Sequence, residues 1–198
     1  MVQRRRMWLL IALGAIGVGA TGAVVWQQQN ALPKRLGVVA EGKLYRSGEL
    51  TPAQLERVAR EHGVRRIVSL LNPDVPESTA ERAAAERLGI AWENVPLTGD
   101  GASAPADRER IRALLLDPNA PPTLVHCAAG ANRTGLACGI YRLHHDGWTL
   151  QQVMDEMRRY GFKDKAHHEN LRQALAAEAE LATRHAEDAP RPGAPAGG

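Results

Sequence analysis

Cysteine is nearly absent from this chain, with two residues in 198, which excludes a disulfide-stapled scaffold. Aromatic residues make up 4%, too few to stack against a single-stranded nucleic acid. Positive charge is missing where a polyanion would need it. Lys and Arg number 25 against 22 Asp and Glu, and the net +3 is carried by Arg4, Arg5 and Arg6 alone. Residues 31–198 therefore sum to zero, and no bulk field argues for a nucleic-acid partner. No internal repeat is visible. What remains, 44% hydrophobic and 24% charged, excludes a disordered or collagenous protein and fits one domain with appendages.

Residues 7–26 (MWLLIALGAIGVGATGAVVW) run for 20 positions without a charge. A helix of that length rises about 30 Å, the thickness of a hydrocarbon core. Trp8 and Trp26 stand at its ends, as interfacial rings do. The arginines before it keep the N-terminus cytoplasmic by the positive-inside rule. The segment predicts a single transmembrane helix that holds the rest of the chain on the exported, periplasmic or extracytoplasmic side. A cleaved signal peptide, with small residues at Val18-Gly19-Ala20, is the alternative and gives a secreted domain. The run exceeds the usual apolar core of about 7–15 residues, which favours the anchor. Residues 1–30 are thus read as anchor or signal, 27–37 as a short tether, 38–184 as the folded domain and 185–198 (HAEDAPRPGAPAGG) as a disordered tail.

Within the domain, Thr51-Pro52-Ala53-Gln54 is an N-cap, a proline in the first turn and a capping-box glutamine, and Gly63 supplies the stop. Strand-length apolar runs follow at Val64–Leu71, Ile90–Leu97 and Pro122–His126, with an edge hairpin at Val38–Arg46. Helical patterns fall at Ser78–Leu88, Ala106–Leu116, Gly135–His145, after Thr149, and at Ala166–Thr183. Strands alternating with helices predict an α/β fold with a mostly parallel central sheet flanked by helices.

The chemistry is concentrated where the strand Pro122–His126 meets Cys127-Ala128-Ala129-Gly130-Ala131-Asn132-Arg133-Thr134-Gly135. A loop between a strand's carboxyl end and a helix N-terminus turns successive N–H groups inward and makes an anion site. Cys127 at its start feels the same field, so its thiolate is stabilised. Arg133 closes the loop with a planar fork suited to two phosphate oxygens. A nucleophilic sulfur beside a phosphate cradle is equipment for displacement at phosphorus.

HCAAGANRTG resembles the signature of the protein tyrosine phosphatase superfamily: His-Cys, five residues, Arg, then Ser or Thr. LYRSGEL (44–50) and PLTGD (96–100) resemble segments of its compact, dual-specificity-like bacterial members. The resemblance implies a phosphatase that works through a phosphocysteine on Cys127. It implies oxygens held by Arg133 and the N–H groups of Ala128, Ala129, Gly130, Ala131, Asn132 and Arg133. It also implies a Thr134 hydroxyl that eases the sulfur's departure, and a His126 that orients the loop by hydrogen bonds. No metal or cofactor is required. The leaving group needs a proton, which relatives take from an aspartate upstream. Asp100 is the choice here, with Asp107 second because Pro105-Ala106-Asp107 reads as a helix's first turn; Asp74 or no acid at all are the remaining options.

The expected substrate is a phosphotyrosine or phosphothreonine protein or a small phosphoester. Three rivals stand beside it: an inositol-phosphate or phosphoinositide phosphatase on the same fold, a catalytically silent phosphate-binding module, and a rhodanese-like sulfurtransferase. Relatives acting on inositol phosphates often carry lysines in the loop, where this chain has Ala128, Ala129, Ala131 and Asn132. Cys138 reads as a core residue, with a disulfide to Cys127 as the alternative. His144-His145-Asp146 and His167-His168-Glu169 lack metal-site spacing. Lys163, Lys165, His167 and His168 are read as a solvated helix start or a basic rim. Leu136-Ala137 stands where a Walker loop needs Lys-Ser/Thr, which excludes a nucleoside triphosphatase of that type.

Overall fold

Alternation along the strands divides their side chains between two helical layers. The computed structural model describes residues 31–188. In order these form β1 (Gly37–Ala40), β2 (Leu44–Ser47), α1 (Pro52–His62), β3 (Arg66–Ser69), α2 (Pro76–Arg87), β4 (Ala91–Asn94), α3 (Pro105–Leu116), β5 (Thr123–His126), α4 (Asn132–His144), α5 (Leu150–Arg159), a 3-10 turn (Ala166–His168) and α6 (Glu169–Asp188). Tyr45, Ile67 and Leu124 face α1 and α2, while Leu44, Val68 and Val125 face the larger core built with α3 to α6.

The sheet order is β1-β2-β5-β3-β4, parallel except for the antiparallel β1–β2 pair. β5 is therefore central, with β2 on one side and β3 on the other. In such sheets ligands bind outside the carboxyl ends of the strands where the order reverses. That point is the end of β5, and His126 registers there with both Ser47 and Ser69.

Local chemistry sets the helix ends. Thr51 Oγ1 accepts from the Gln54 N–H (3.3 Å), and Gln54 Oε1 accepts from the Thr51 N–H (3.0 Å). Gly63 closes α1 with φ +67° in open space. Thr149 and Gln152 form the same reciprocal box at α5.

Several expectations need correction. The hairpin read as an edge is half interior, since β2 also pairs with β5. The three parallel strands shrink to four residues each. α4 begins at Asn132 rather than Gly135, so Arg133 and Thr134 are already helical. His185–Asp188, assigned to the tail by composition, are the end of α6. No described helix is long and apolar enough to cross a membrane. The span expected at 7–26 lies outside the described residues, as does the tail beyond 188.

Candidate active site

Cys127 follows the last residue of the central strand, and the chain must reverse into α4 within five residues. Gly130 makes this possible with φ +71°, a conformation L side chains rarely adopt. A Cβ there would sit 2.5 Å from the Gly48 nitrogen and 2.7 Å from the Ser47 carbonyl, so the loop also lies directly on the end of β2.

The Gly130 N–H donates to Cys127 Sγ at 3.2 Å. The sulfur is buried, which alone raises a thiol's pKa. The Thr134 hydroxyl and N–H, the Arg133 charge and the Gly130 N–H together outweigh burial and bring the Cys127 pKa down. The Thr134 hydroxyl also lies 3.4 Å from the Ser47 carbonyl. Arg133 is half-buried, and its Nη1 donates to the carbonyls of Leu70 and Leu97, each at 3.2 Å. Those carbonyls lie just past the ends of β3 and β4, so the sheet itself aims the guanidinium.

The loop's outward carbonyls are held as well. Ala128 O accepts from the Glu49 N–H (3.2 Å), Ala129 O from Arg35 Nη1 (2.6 Å) and Gly130 O from Arg46 Nη2 (3.0 Å). Arg46 is fully buried, lies over the Tyr160 ring at 3.7 Å and has Glu156 at 4.0 Å. Ala128 and Ala129 are exposed, Asn132 is half-buried, and the Asn132 Nδ2 meets His168 Nε2 at 3.0 Å.

His126 departs from its expected role. Strand alternation puts it on the same face as Leu124, toward α2, where its Nε2 lies 2.9 and 3.0 Å from the Glu81 carboxylate oxygens. Glu81 also accepts from Trp92 Nε1 at 2.9 Å. The imidazole thus fastens β5 to α2, and the loop is held instead by the Glu49 N–H and the Arg35 and Arg46 guanidinium groups.

Asp100 is a capped carboxylate. It accepts from the Thr98 hydroxyl, the Ala102 N–H (3.2 Å) and Asn170 Nδ2 (2.8 Å). The Thr98 hydrogen bond first, then those of Ala102 and Asn170, pull its pKa down to about 2. In this arrangement it carries no proton near neutrality. Asp107 caps α3, its Oδ2 accepting from the Ala104 N–H at 2.9 Å, as its first-turn position predicts. Asp74 is exposed in the turn after β3. Sequence reasoning missed Glu49, whose N–H donates to the loop at Ala128 O. Burial first, then Glu77, push the Glu49 pKa up against the opposing pull of His126 and Lys34.

Cys138 is fully buried on α4 and its pKa is pushed up to about 11 by burial; both cysteines are free thiols. His144 pairs with Glu178, and His168 is buried against Phe162, not part of a basic rim. Among the described residues no three His, Cys, Asp or Glu side chains are grouped to hold a metal ion. Arg35 and Asn170 carry no sequence signal, whereas Arg46 lies inside LYRSGEL.

Residues 31–189 match the profile of the tyrosine phosphatase family. The chain belongs to that family. Among curated phosphatases it is 31% and 30% identical, over 133 residues, to the dual specificity protein phosphatase TpbA of two Pseudomonas aeruginosa strains. Those matches cover 67% of this chain and 56% of each relative, so the chain matches only about half the length of these phosphatases. The fold agrees with solved phosphatase structures. The core catalytic domain of the PP-IP phosphatase SIW14 from S. cerevisiae superposes with a TM-score of 0.65 at 22% identity, covering 80% of this chain and 94% of that one. The P. aeruginosa TpbA crystal structure superposes with a TM-score of 0.60 at 23% identity, covering 75% and 91%.

Proposed function

We propose that this chain is a cysteine-dependent phosphatase that hydrolyses phosphate monoesters through a phosphocysteine. The observation that carries the reading is the buried Cys127 sulfur, which accepts the Gly130 N–H and is stabilised as thiolate by Thr134 and Arg133.

In the first step the thiolate lone pair forms an S–P bond on the face opposite the ester oxygen. The P–O bond breaks, and its electron pair leaves with the alcohol oxygen, which takes up a proton. The loop N–H groups and the Arg133 fork hold the three remaining oxygens as charge shifts among them. In the second step water forms the new P–O bond and gives a proton to the carboxylate that protonated the alcohol, the S–P pair returns to sulfur, and the Thr134 hydroxyl supports the departing thiolate. Asp100 supplies the proton only after leaving Thr98 and Asn170, so its role requires the 98–101 turn to rearrange.

The substrate reading is a phosphotyrosine or phosphothreonine protein. The TpbA relatives, named dual specificity phosphatases, support it, and one P. aeruginosa TpbA structure is a complex with phosphotyrosine. The uncharged side chains at 128, 129 and 131 favour it over an inositol polyphosphate, although SIW14 shares the fold. The apolar run at 7–26, behind three arginines, supports a domain exported on one N-terminal anchor.

Phosphate release by the full chain in detergent tests the reading on an aryl phosphate, phosphotyrosine and phosphothreonine peptides, and inositol phosphates. Turnover on the peptides that vanishes in Cys127→Ser is expected. Turnover that survives Cys127→Ser refutes the covalent route, and turnover confined to inositol phosphates refutes the substrate class.

A further inference from the structure

The phosphate loop is tied from outside by a residue that the sequence leaves in the tether. Arg35 has φ +55°, the only positive value at a non-glycine among the described residues. Such a conformation persists when its surroundings hold it, and it often marks a functional constraint. Here the Leu36 N–H donates to Pro33 O (3.2 Å), and Lys34 O accepts from the Gly48 N–H (2.6 Å), so the turn is fastened on both sides. From it the Arg35 guanidinium crosses to Ala129 O at 2.6 Å and rests on Gly161, where a Cβ would meet its Nε and Nη2 at 2.8 Å.

The peptide that Arg35 grips is the one that serves the nucleophile. A trans peptide is planar, with its C=O and N–H pointing in opposite directions. The Ala129 carbonyl and the Gly130 N–H belong to one such plane: the oxygen goes outward to Arg35 and the hydrogen inward to Cys127 Sγ at 3.2 Å. A cation on the oxygen also polarises the amide and strengthens its hydrogen as a donor. The neighbouring planes repeat the arrangement, with Ala128 O on the Glu49 N–H and Gly130 O on Arg46. Arg46 and the Glu49 amide are built into the domain, whereas Arg35 is exposed and follows directly on the N-terminal segment.

We infer that Arg35 is a positioning residue for the nucleophile: by holding the Ala129 carbonyl outside the loop, it turns and polarises the Gly130 N–H toward the Cys127 sulfur. The inference rests on the reading of this loop as a phosphate cradle. It makes the last residues of the tether part of the catalytic apparatus rather than a passive leash.

The test compares the full chain in detergent with its Arg35→Ala and Arg35→Lys variants. Three quantities are measured: the pH profile of inactivation by iodoacetate, competition by inorganic phosphate, and the melting temperature. In Arg35→Ala the midpoint of thiolate titration moves up by about half a unit to one unit. The inhibition constant of phosphate rises about tenfold, a fraction of the 10²–10³ lost when such a donor is deleted outright. The melting temperature stays within about 2 °C, because the side chain is exposed. Arg35→Lys, still a cationic donor, recovers most of both losses. An Arg35→Ala profile and phosphate constant equal to wild type overturn the inference. So do equal losses in both variants with a lowered melting temperature, which mark a merely structural contact. A wild-type chain with no low-pH thiolate and no phosphate competition refutes the cradle itself.

Discussion

Replacing Gly130 by alanine separates two contributions that the loop combines, provided Gly63→Ala is made beside it. Both glycines have nearly the same left-handed backbone, with φ +71° and +67°. Forcing alanine into that conformation costs about 1–2 kcal/mol at either position. Their surroundings differ. A methyl at 63 meets nothing within 4 Å, whereas a methyl at 130 would stand 2.5 Å from the Gly48 nitrogen and 2.7 Å from the Ser47 carbonyl. Those atoms are main chain at the end of an interior strand, so the loop must lift, at about a further 1–3 kcal/mol. For a domain of this size each kcal/mol moves the melting temperature by about 2–4 °C. Gly63→Ala is expected to melt roughly 2–8 °C lower and keep its turnover. Gly130→Ala is expected to melt roughly 4–20 °C lower and lose turnover, since the lifted loop withdraws the N–H from Cys127. Thermal melts with an aryl-phosphate assay decide it. Equal shifts, or an active Gly130→Ala enzyme, refute the claim that the loop is seated on β2.

The other predictions concern charge. Asn170→Ala removes a donor from Asp100, so its pKa rises from about 2 toward the ordinary carboxylate range. If Asp100 is the acid, the basic limb of the pH–rate profile for alkyl phosphates moves to higher pH. A limb that instead follows Glu49→Gln assigns the proton to the other carboxyl. Glu178 is held at about 2 against burial by His144, Arg112 and Arg108. Because its folded pKa is depressed, its contribution is present above pH 4.5 and lost as pH falls toward 2. Wild type should exceed Glu178→Gln by roughly 2 kcal/mol at neutral pH, allowing for solvent screening. Urea titrations should show that gap closing between pH 4.5 and 2; a constant gap contradicts the ion-pair account. Glu81→Ala strands the His126 and Trp92 donors and should cost about 2–4 kcal/mol, read by urea melts, with Glu81→Gln losing less. Equal losses for the two variants exclude the hydrogen-bond explanation.

The loop was legible in the sequence because its parts are contiguous: a strand, a cysteine, a glycine and an arginine before a helix. The same locality made the Thr51–Gln54 and Thr149–Gln152 caps readable. What escaped depends on pairing across the fold. β2 looked like an edge because nothing in LYRS announces that β5, almost 80 residues later, inserts beside it. His126, read as the end of its strand, was expected to orient the loop because its neighbour is Cys127, but period-two geometry turns it to Glu81, 45 residues away. Arg35 and Asn170 reach the site through contacts 94 and 70 residues apart, and a single chain gives no local sign of either. Asp100 was identifiable as a loop carboxylate, but the three donors that fix its charge were not.

Ala128 and Ala129 are exposed even though their backbone oxygens are tied down. In the proposed cradle the anion is gripped by main-chain amides and the Arg133 fork, with no part for the side chains at 128 and 129. Decoration and engine are separable at this point of the molecule. A descendant of this chain can exchange either alanine for a basic, acidic or aromatic residue, and so change which esters dock, while the sulfur and its amides stay as they are.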